Sequence, residues 1–132
     1  MFKELNAKLL EYFSGKYTII KSFDAEEMDL DGVIAVNMNE FEIVNNNISD
    51  WKCYVNINAQ TFVDTDPDKT RIFEMFYFVF SKLDDDAIKN LDDNIVGVVK
   101  DTGSLTSDGE TNNFSVKLEL FLSGVELTDN QN

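Results

Sequence analysis

The sequence predicts an α+β domain: an antiparallel β-sheet of four to six strands, with an N-terminal helix and a second, amphipathic helix packed on it. Three observations carry this. Over residues 51–62, Trp51, Cys53, Val55, Ile57 and Ala59 alternate with Lys52, Tyr54, Asn56, Asn58 and Gln60, the period of a strand with one buried face. Residues 114–122 repeat the pattern, with Phe114, Val116, Leu118, Leu120 and Leu122 set against Ser115, Lys117, Glu119 and Phe121. Between them, Ile72, Phe73, Phe76, Val79, Phe80 and Leu83 fall at the i, i+1, i+4, i+7, i+8, i+11 spacing of a wide helical stripe.

The elements follow in order. Residues 2–13 place Phe2, Leu5, Leu9 and Tyr12/Phe13 on one helical stripe and Glu4, Lys8 and Glu11 on the other, with Gly15 where the helix should stop. Residues 17–23 are rich in β-branched and aromatic side chains and read as a strand. The acidic stretch 24–31 reads as a loop or a single helical turn. Gly32 opens a second strand over 33–38 that continues or bulges through 41–44, and 45–50 is a polar turn. Pro67, near the first helical position with Thr65 or Asp66 as N-cap, announces a helix over 68–83. Met75, Tyr77 and Phe78 lie off its expected core stripe and are apolar as well, so this helix needs a second surface to pack against. Asp84, Asp85 and Asp86 end it, 87–91 adds a short turn, and 95–99 is a strand. Residues 101–112, with Gly103 and Gly109, read as a long polar hairpin loop before the last strand.

A chain of 132 residues fits a single domain, assigned to 1–125 with a polar tail over 126–132. There is no repeat and no Pro- or Gly-rich linker. The N-terminal residues mix charges with apolar side chains and do not read as a signal peptide, and no run of about 18 apolar residues suggests a membrane span. Cys53 is the single cysteine, so no intramolecular disulfide can form; on the apolar side of its strand it reads as a small buried hydrophobe.

The charge narrows the function. Eleven Lys+Arg stand against 25 Asp+Glu, for a formal net charge of -14, and there is no histidine. Imidazole-based catalysis, imidazole metal sites and histidine pH switching are therefore absent. A chain this acidic is repelled by the phosphate backbone of nucleic acid. Asp64, Asp66 and Asp68 have the opening rhythm of a calcium loop, but Lys69 stands where that loop needs Gly and Met75 where it needs Glu, so helix capping is the better reading. No phosphate-binding glycine loop and no Gly-x-Ser-x-Gly elbow occurs. The reading is of a non-enzymatic protein without a cofactor.

The succession from an N-terminal helix through a β-meander to Trp51-Lys52-Cys53-Tyr54-Val55-Asn56-Ile57-Asn58, then Thr65-Asp66-Pro67-Asp68-Lys69-Thr70-Arg71-Ile72-Phe73 and a closing strand pair, resembles the tail terminator proteins of long-tailed bacteriophages and the related tail-completion and head-to-tail joining proteins. The resemblance is one of layout and size and spans residues 2–125. It implies a virion protein, assembled in the host cytoplasm as a homohexameric ring on the head-proximal end of the tail tube. That ring would stop tube growth, contact the tail tube protein and a neck or connector protein, and pass DNA without specific binding. In such a ring Met75, Tyr77, Phe78 and Phe121 are the candidates for the subunit interface. Asp29, Asp31, Asp84, Asp85, Asp86, Asp101, Asp108 and Glu110 are the candidates for the channel lining or for axial contacts. An acidic lumen repels phosphate while mobile cations screen the approach. Two other readings are an acidic DNA mimic occupying the basic groove of a DNA-binding protein and a cytoplasmic adaptor. A mimic needs carboxylates arrayed along one face, whereas these cluster in loops.

Overall fold

A computed structural model describes residues 2–21, 31–101 and 103–126. Its elements are α1 (Phe2–Phe13), β1 (Thr18–Ile20), β2 (Val33–Val44), β3 (Asn47–Phe62), α2 (Thr70–Ser81), α3 (Asp85–Lys89), β4 (Ile95–Lys100), β5 (Ser104–Ser107) and β6 (Thr111–Leu122). Together they form an α+β fold around one six-stranded sheet, ordered β1-β2-β3-β6-β4, with β5 also pairing with β6. The helix at 2–13 and the bulge within β2 after Met38 occur where the sequence places them, whereas the short helical turn expected over 87–91 begins earlier, with Asp84 as its cap.

The alternating patterns dictate the layers. Cys53, Val55, Ile57 and Ala59 of β3 and Phe114, Val116, Leu118 and Leu120 of β6 are buried on one sheet face. They join Leu5, Leu9 and Phe13 of α1, Ile72, Met75 and Val79 of α2, and Ile88 of α3 in one core. Each fully buried aliphatic side chain contributes roughly 1.5–3 kcal/mol, so this face holds the fold together. The opposite face carries Tyr54, Asn56, Asn58, Gln60, Ser115 and Lys117 and is only half covered or exposed.

Four expectations need correction. The sheet is mixed, because β1 runs parallel to β2 while all other pairs are antiparallel. Parallel neighbours need a connection of about a dozen residues, which segment 21–32 supplies. Most of that segment, including Asp29 and the expected end of the strand at Phe23, lies outside the described residues, as does the tail beyond Glu126. The turn at 45–50 shrinks to Asn45 and Asn46, at φ 58° and 55°. Asparagine tolerates this left-handed conformation, which makes the tight hairpin turn whose twist matches its flanking strands. The polar stretch 101–112 is not one loop, for β5 lies within it and β6 begins at Thr111. There Asp108 accepts from the Glu110 and Thr111 backbone N–H groups at 2.9 and 2.8 Å, closing a short turn.

The fourth correction concerns α2, which starts at Thr70, after Lys69 in a left-handed conformation (φ 65°) with no cap from its own side chain. Pro67 lies in the preceding turn rather than in the helix. Asp66, itself buried, reaches across that turn: Oδ1 accepts from Arg71 N at 2.9 Å, and Oδ2 accepts from Ile72 N at 3.0 Å and from the Thr61 hydroxyl at 2.7 Å. Asn112 Nδ2 donates to the Asp66 carbonyl at 3.0 Å and to Thr61 Oγ1 at 3.3 Å, tying the capping turn to β6. Burial pushes the Asp66 carboxyl upward, but the Thr61 hydroxyl, the two backbone N–H groups and the Arg71 charge outweigh it and hold it below the usual carboxylate range.

Asp66→Asn should destabilise the fold by about 2–4 kcal/mol at pH 7, because it leaves buried donors without an acceptor. Since the folded carboxyl is held low, its contribution is complete above the unfolded carboxylate range, about 3.9, and is lost as pH falls through the lower folded value. Urea unfolding should therefore show the gap between wild type and Asp66→Asn at full size at pH 7 and shrinking below about pH 4.

Candidate functional site

Helix α2 is apolar at nearly every position from Ile72 to Phe80, so its sequence allows more than one buried stripe. The Asp66 clamp on Arg71 N and Ile72 N fixes where the helix begins and thus how it is rotated. Ile72, Met75 and Val79 then point into the core, and Phe76 and Phe78 pack at its margins. The Phe76 ring stands edge-on to Phe114 at 5.3 Å, and the Phe78 ring edge-on to Tyr17 at 5.3 Å. Met75, expected at a subunit interface, is a core residue. Phe78, expected beside it, is half-buried, with Lys82 Nζ 5.5 Å above its ring.

Two residues expected in the core lie outside instead. Phe73 is 56 % exposed, Tyr77 77 % and Phe80 42 %, and their i, i+4, i+7 spacing makes them one aromatic row along the solvent side of α2. Lys69, one turn before Phe73, heads the row. At its other end the strand edge passes over the helix at Gly103, where a Cβ would stand 3.1 Å from the Phe76 and Phe80 rings. Asp101, Lys100 and Leu83 complete a shallow pocket beside Phe80.

Other exposed apolar residues lie toward the turn end of the β2–β3 hairpin, Phe41 and Ile43 on β2 and Ile48, 64 % exposed, on β3. Phe41 and Ile43 pair with Cys53 and Trp51 in the ladder and so belong to the helix-bearing side. Phe2 of α1 holds this corner, its ring 4.6 Å from Phe41 and 5.7 Å from Trp51. Glu40 and Glu42 alternate with Phe41 and Ile43 along the strand, and both are exposed. The alternation of acids with apolar residues over 40–43 was the available sign of a strand outrunning its core.

The acidic candidates separate into three groups. Asp31 is a structural clasp: it accepts from Phe62 N at 2.8 Å, the Thr65 hydroxyl at 2.7 Å and Arg71 Nη1 at 3.0 Å. Burial raises its carboxyl, and these three donors together with the Arg71 charge bring it below the ordinary range. Asp84, Asp85 and Asp86 begin α3. Asp84 caps it through Asp86 N at 3.2 Å, and Asp85 lies 3.6 Å from Lys100, next to Asp101. Asp108 and Glu110 share an open depression with Asp64 at the β5–β6 turn. Hydrogen bonds from the Thr111 and Glu110 N–H groups lower the Asp108 carboxyl. Along β6 the Asp101 and Asp108 ends, opposite Lys117 and Thr111, are six residues apart, roughly 20 Å. Asp29 falls outside the described residues.

Phe121 is half-buried on the open sheet face. Lys52 Nζ lies 5.6 Å above its ring and 5.0 Å above that of Tyr54, and 3.3 Å from Glu119. This is an intramolecular cluster of one cation, two rings and a carboxylate, and it sets the polar character of that face. Among the described residues no group of three or more acidic or cysteine side chains is placed to hold a metal ion. Burial pushes the Cys53 thiol up to about 12. No family model matches the chain, and no curated protein matches its sequence.

Two measurements check these placements. Phe78→Asp should cost about 2–4 kcal/mol in denaturant unfolding, whereas Tyr77→Asp should stay within about 0.5 kcal/mol of wild type. Cys53 should be inert to a thiol-specific reagent at pH 8 in the native protein and react at once in denaturant, because the thiolate is the nucleophile.

Proposed function

We propose that this protein is a non-enzymatic structural subunit of a phage virion. It forms a homo-oligomeric ring, a hexamer by the resemblance of its layout, at the end of the tail tube. There it terminates the tube, joins it to the neck or connector, and leaves an acidic channel through which DNA passes without specific binding. The observation that carries this reading is the aromatic row Phe73, Tyr77 and Phe80. A helix with a packed inner face carries a second apolar face that, apart from the Gly103 backbone against the Phe80 ring, the described residues leave largely exposed.

Two features support it. Exposed apolar groups occur at the outer side of α2, near the turn end of the β2–β3 hairpin and at Val96 and Val99 of β4, and a ring subunit must cover more than one such surface. Asp84, Asp85, Asp86, Asp108 and Glu110 sit at turns and a helix start, where in the proposed ring they would meet solvent or a passing polyanion. Among the described residues no helix is long and apolar enough to cross a membrane. In the proposed channel, the negative charge keeps phosphate at a distance and mobile cations fill the gap, so DNA moves without sticking.

Light scattering tests the reading. The expected mass, alone or on tail-tube protein, is near six times the 15.1 kDa subunit, and addition of the protein should stop tube elongation. A strict monomer that ignores tube protein and instead inhibits a DNA-binding enzyme would overturn it in favour of a DNA mimic.

A further inference from the structure

We infer that two copies of this chain join edge to edge through β4 and β5, about a two-fold axis beside Gly103, so that their sheets run on into one another. This goes beyond the ring reading and does not rest on it. β4 and β5 follow each other along the same side of β6 and form the outer edge of the sheet there. Glu110 O, one residue before β6, accepts from Val63 N at 2.9 Å, and in the β3–β6 register this points the backbone groups of even-numbered β6 residues at β3. The odd-numbered ones bond to the edge, as Lys117 O does with Asp101 N at 2.9 Å and Thr111 O with Asp108 N at 3.1 Å. By the alternation of an antiparallel ladder, the N–H and C=O groups of Val98 and Lys100 in β4, and of Leu105 and Ser107 in β5, point away from β6. None of these groups has a hydrogen bond among the described residues.

Alternating donors and acceptors at strand spacing call for an extended strand, and a second copy's own edge fits. Turned antiparallel about the axis, it sets Val98 of each copy against Ser107 of the other, and Lys100 against Leu105. In this one register every outward residue meets an outward residue, and the irregular step between the two strands, at Gly103, falls on the axis. The bulge at the start of β4 lies before Val98, outside the paired stretch. Charge selects the same surface. Residues 95–107 carry one Lys and one Asp, so the edge is neutral in a chain of net charge -14, and copies that repel elsewhere can approach along it.

The side chains agree. On the helix-bearing side α2 runs alongside this edge: Asn112 ties the turn at its start to β6, and Lys100 Nζ donates to Leu83 O at 3.0 Å beyond its end. A Cβ on Gly103 would stand 3.1 Å from the Phe76 and Phe80 rings, whereas Phe78 meets Tyr17, so Phe76 and Phe80 mark the flank turned to the edge. Phe73, seven residues before Phe80, shares that flank. Pairing makes Phe73 and Phe80 of the two copies face each other across the seam. On the open side, exposed Val99 comes opposite exposed Thr106 of the other copy. Lys100, Ser104 and Ser107 are exposed as well, and row and edge together offer roughly the 800 Å² that each partner gives to a stable interface. Pair and ring draw on the same row, so they are alternative states of one surface.

Ser107→Pro and Val98→Pro test this, since each removes an outward N–H and leaves the bonds to β6 in place, which an edge strand tolerates. In light scattering the wild type without tube protein should reach twice the 15.1 kDa subunit mass, and the sixfold mass only on tube ends. Each variant should keep the wild-type circular dichroism and pair at least tenfold more weakly. Hydrogen exchange needs no variant: the amides of Val98, Lys100, Leu105 and Ser107 should gain protection as wild-type concentration rises. A wild type that stays monomeric or forms the ring without tube protein, a dimer in which these four amides exchange as in the monomer, or full pairing by both variants would each overturn the contact. If the protection appears only when tube protein is added, the edge takes another protein's strand and the pairing falls. Rings on tube ends built from protein that never dimerises alone overturn the pair and leave the ring reading. A dimer that ignores tube protein leaves the pair and overturns the ring reading.

Discussion

The buried Asp66 carboxylate is the constraint on which the rest of the structure depends. It accepts the N–H groups of Arg71 and Ile72 in the first turn of α2 and the Thr61 hydroxyl at once, which fixes where the helix begins relative to β3. Fixing Arg71 N also places the Arg71 side chain, whose guanidinium donates to Asp31 at 3.0 Å and so pins the entry to β2. Gly32 follows at φ 74°, a left-handed conformation that residues with a side chain rarely adopt, and a Cβ there would also displace the Arg71 guanidinium. One carboxylate thus coordinates three segments far apart in sequence. An unpaired charge there would cost several kcal/mol, and the network of donors is what makes its burial tolerable.

That dependence explains what could be read from the residues alone. The alternation in β3 and β6 was legible because each position has a single choice of face, and a slip by one residue would expose every apolar side chain. The helical stripe in α1 was legible for the same reason, since its charged residues leave one apolar side. Helix α2 was not, because Ile72, Phe73, Met75, Phe76, Tyr77, Phe78, Val79 and Phe80 satisfy several stripes equally, and a hydrogen bond from outside the helix decides among them. Met75 and Phe73 consequently exchange the places expected of them. The direction of β1 was hidden because a parallel pair is set by the path of the intervening chain and not by the strand's own residues. β5 was hidden because Ser104, Thr106 and Ser107 make a ladder with β6 despite a polar composition, as edge strands often do.

The negative charge has a more local meaning than the total suggests. Asp31, Asp66, Asp84 and Asp108 all accept backbone N–H groups at turns or helix starts, so each holds a bend in the chain as well as carrying charge. A protein that used its acids only as a field would place them along one surface. Here the fold disperses them to its corners and leaves the open sheet face mainly to amides, hydroxyls and the Lys52 cluster. Association between such subunits must overcome like-charge repulsion through apolar contact, and added salt helps by shortening the range of that repulsion to about 8–10 Å.

The two-stripe geometry of α2 also bears on how the protein can change over generations. Ile72, Met75 and Val79 answer to the core, while Phe73 and Tyr77 are largely exposed and Phe80 answers only to the Phe76 ring and the chain at Gly103. Inheritance can therefore edit the outer row, altering which surface it accepts, without revisiting the inner one. The Asp66 clamp is what keeps the two sets of positions independent, since a helix free to rotate would mix them. A lineage that retains the clamp keeps a stable scaffold on which recognition can drift.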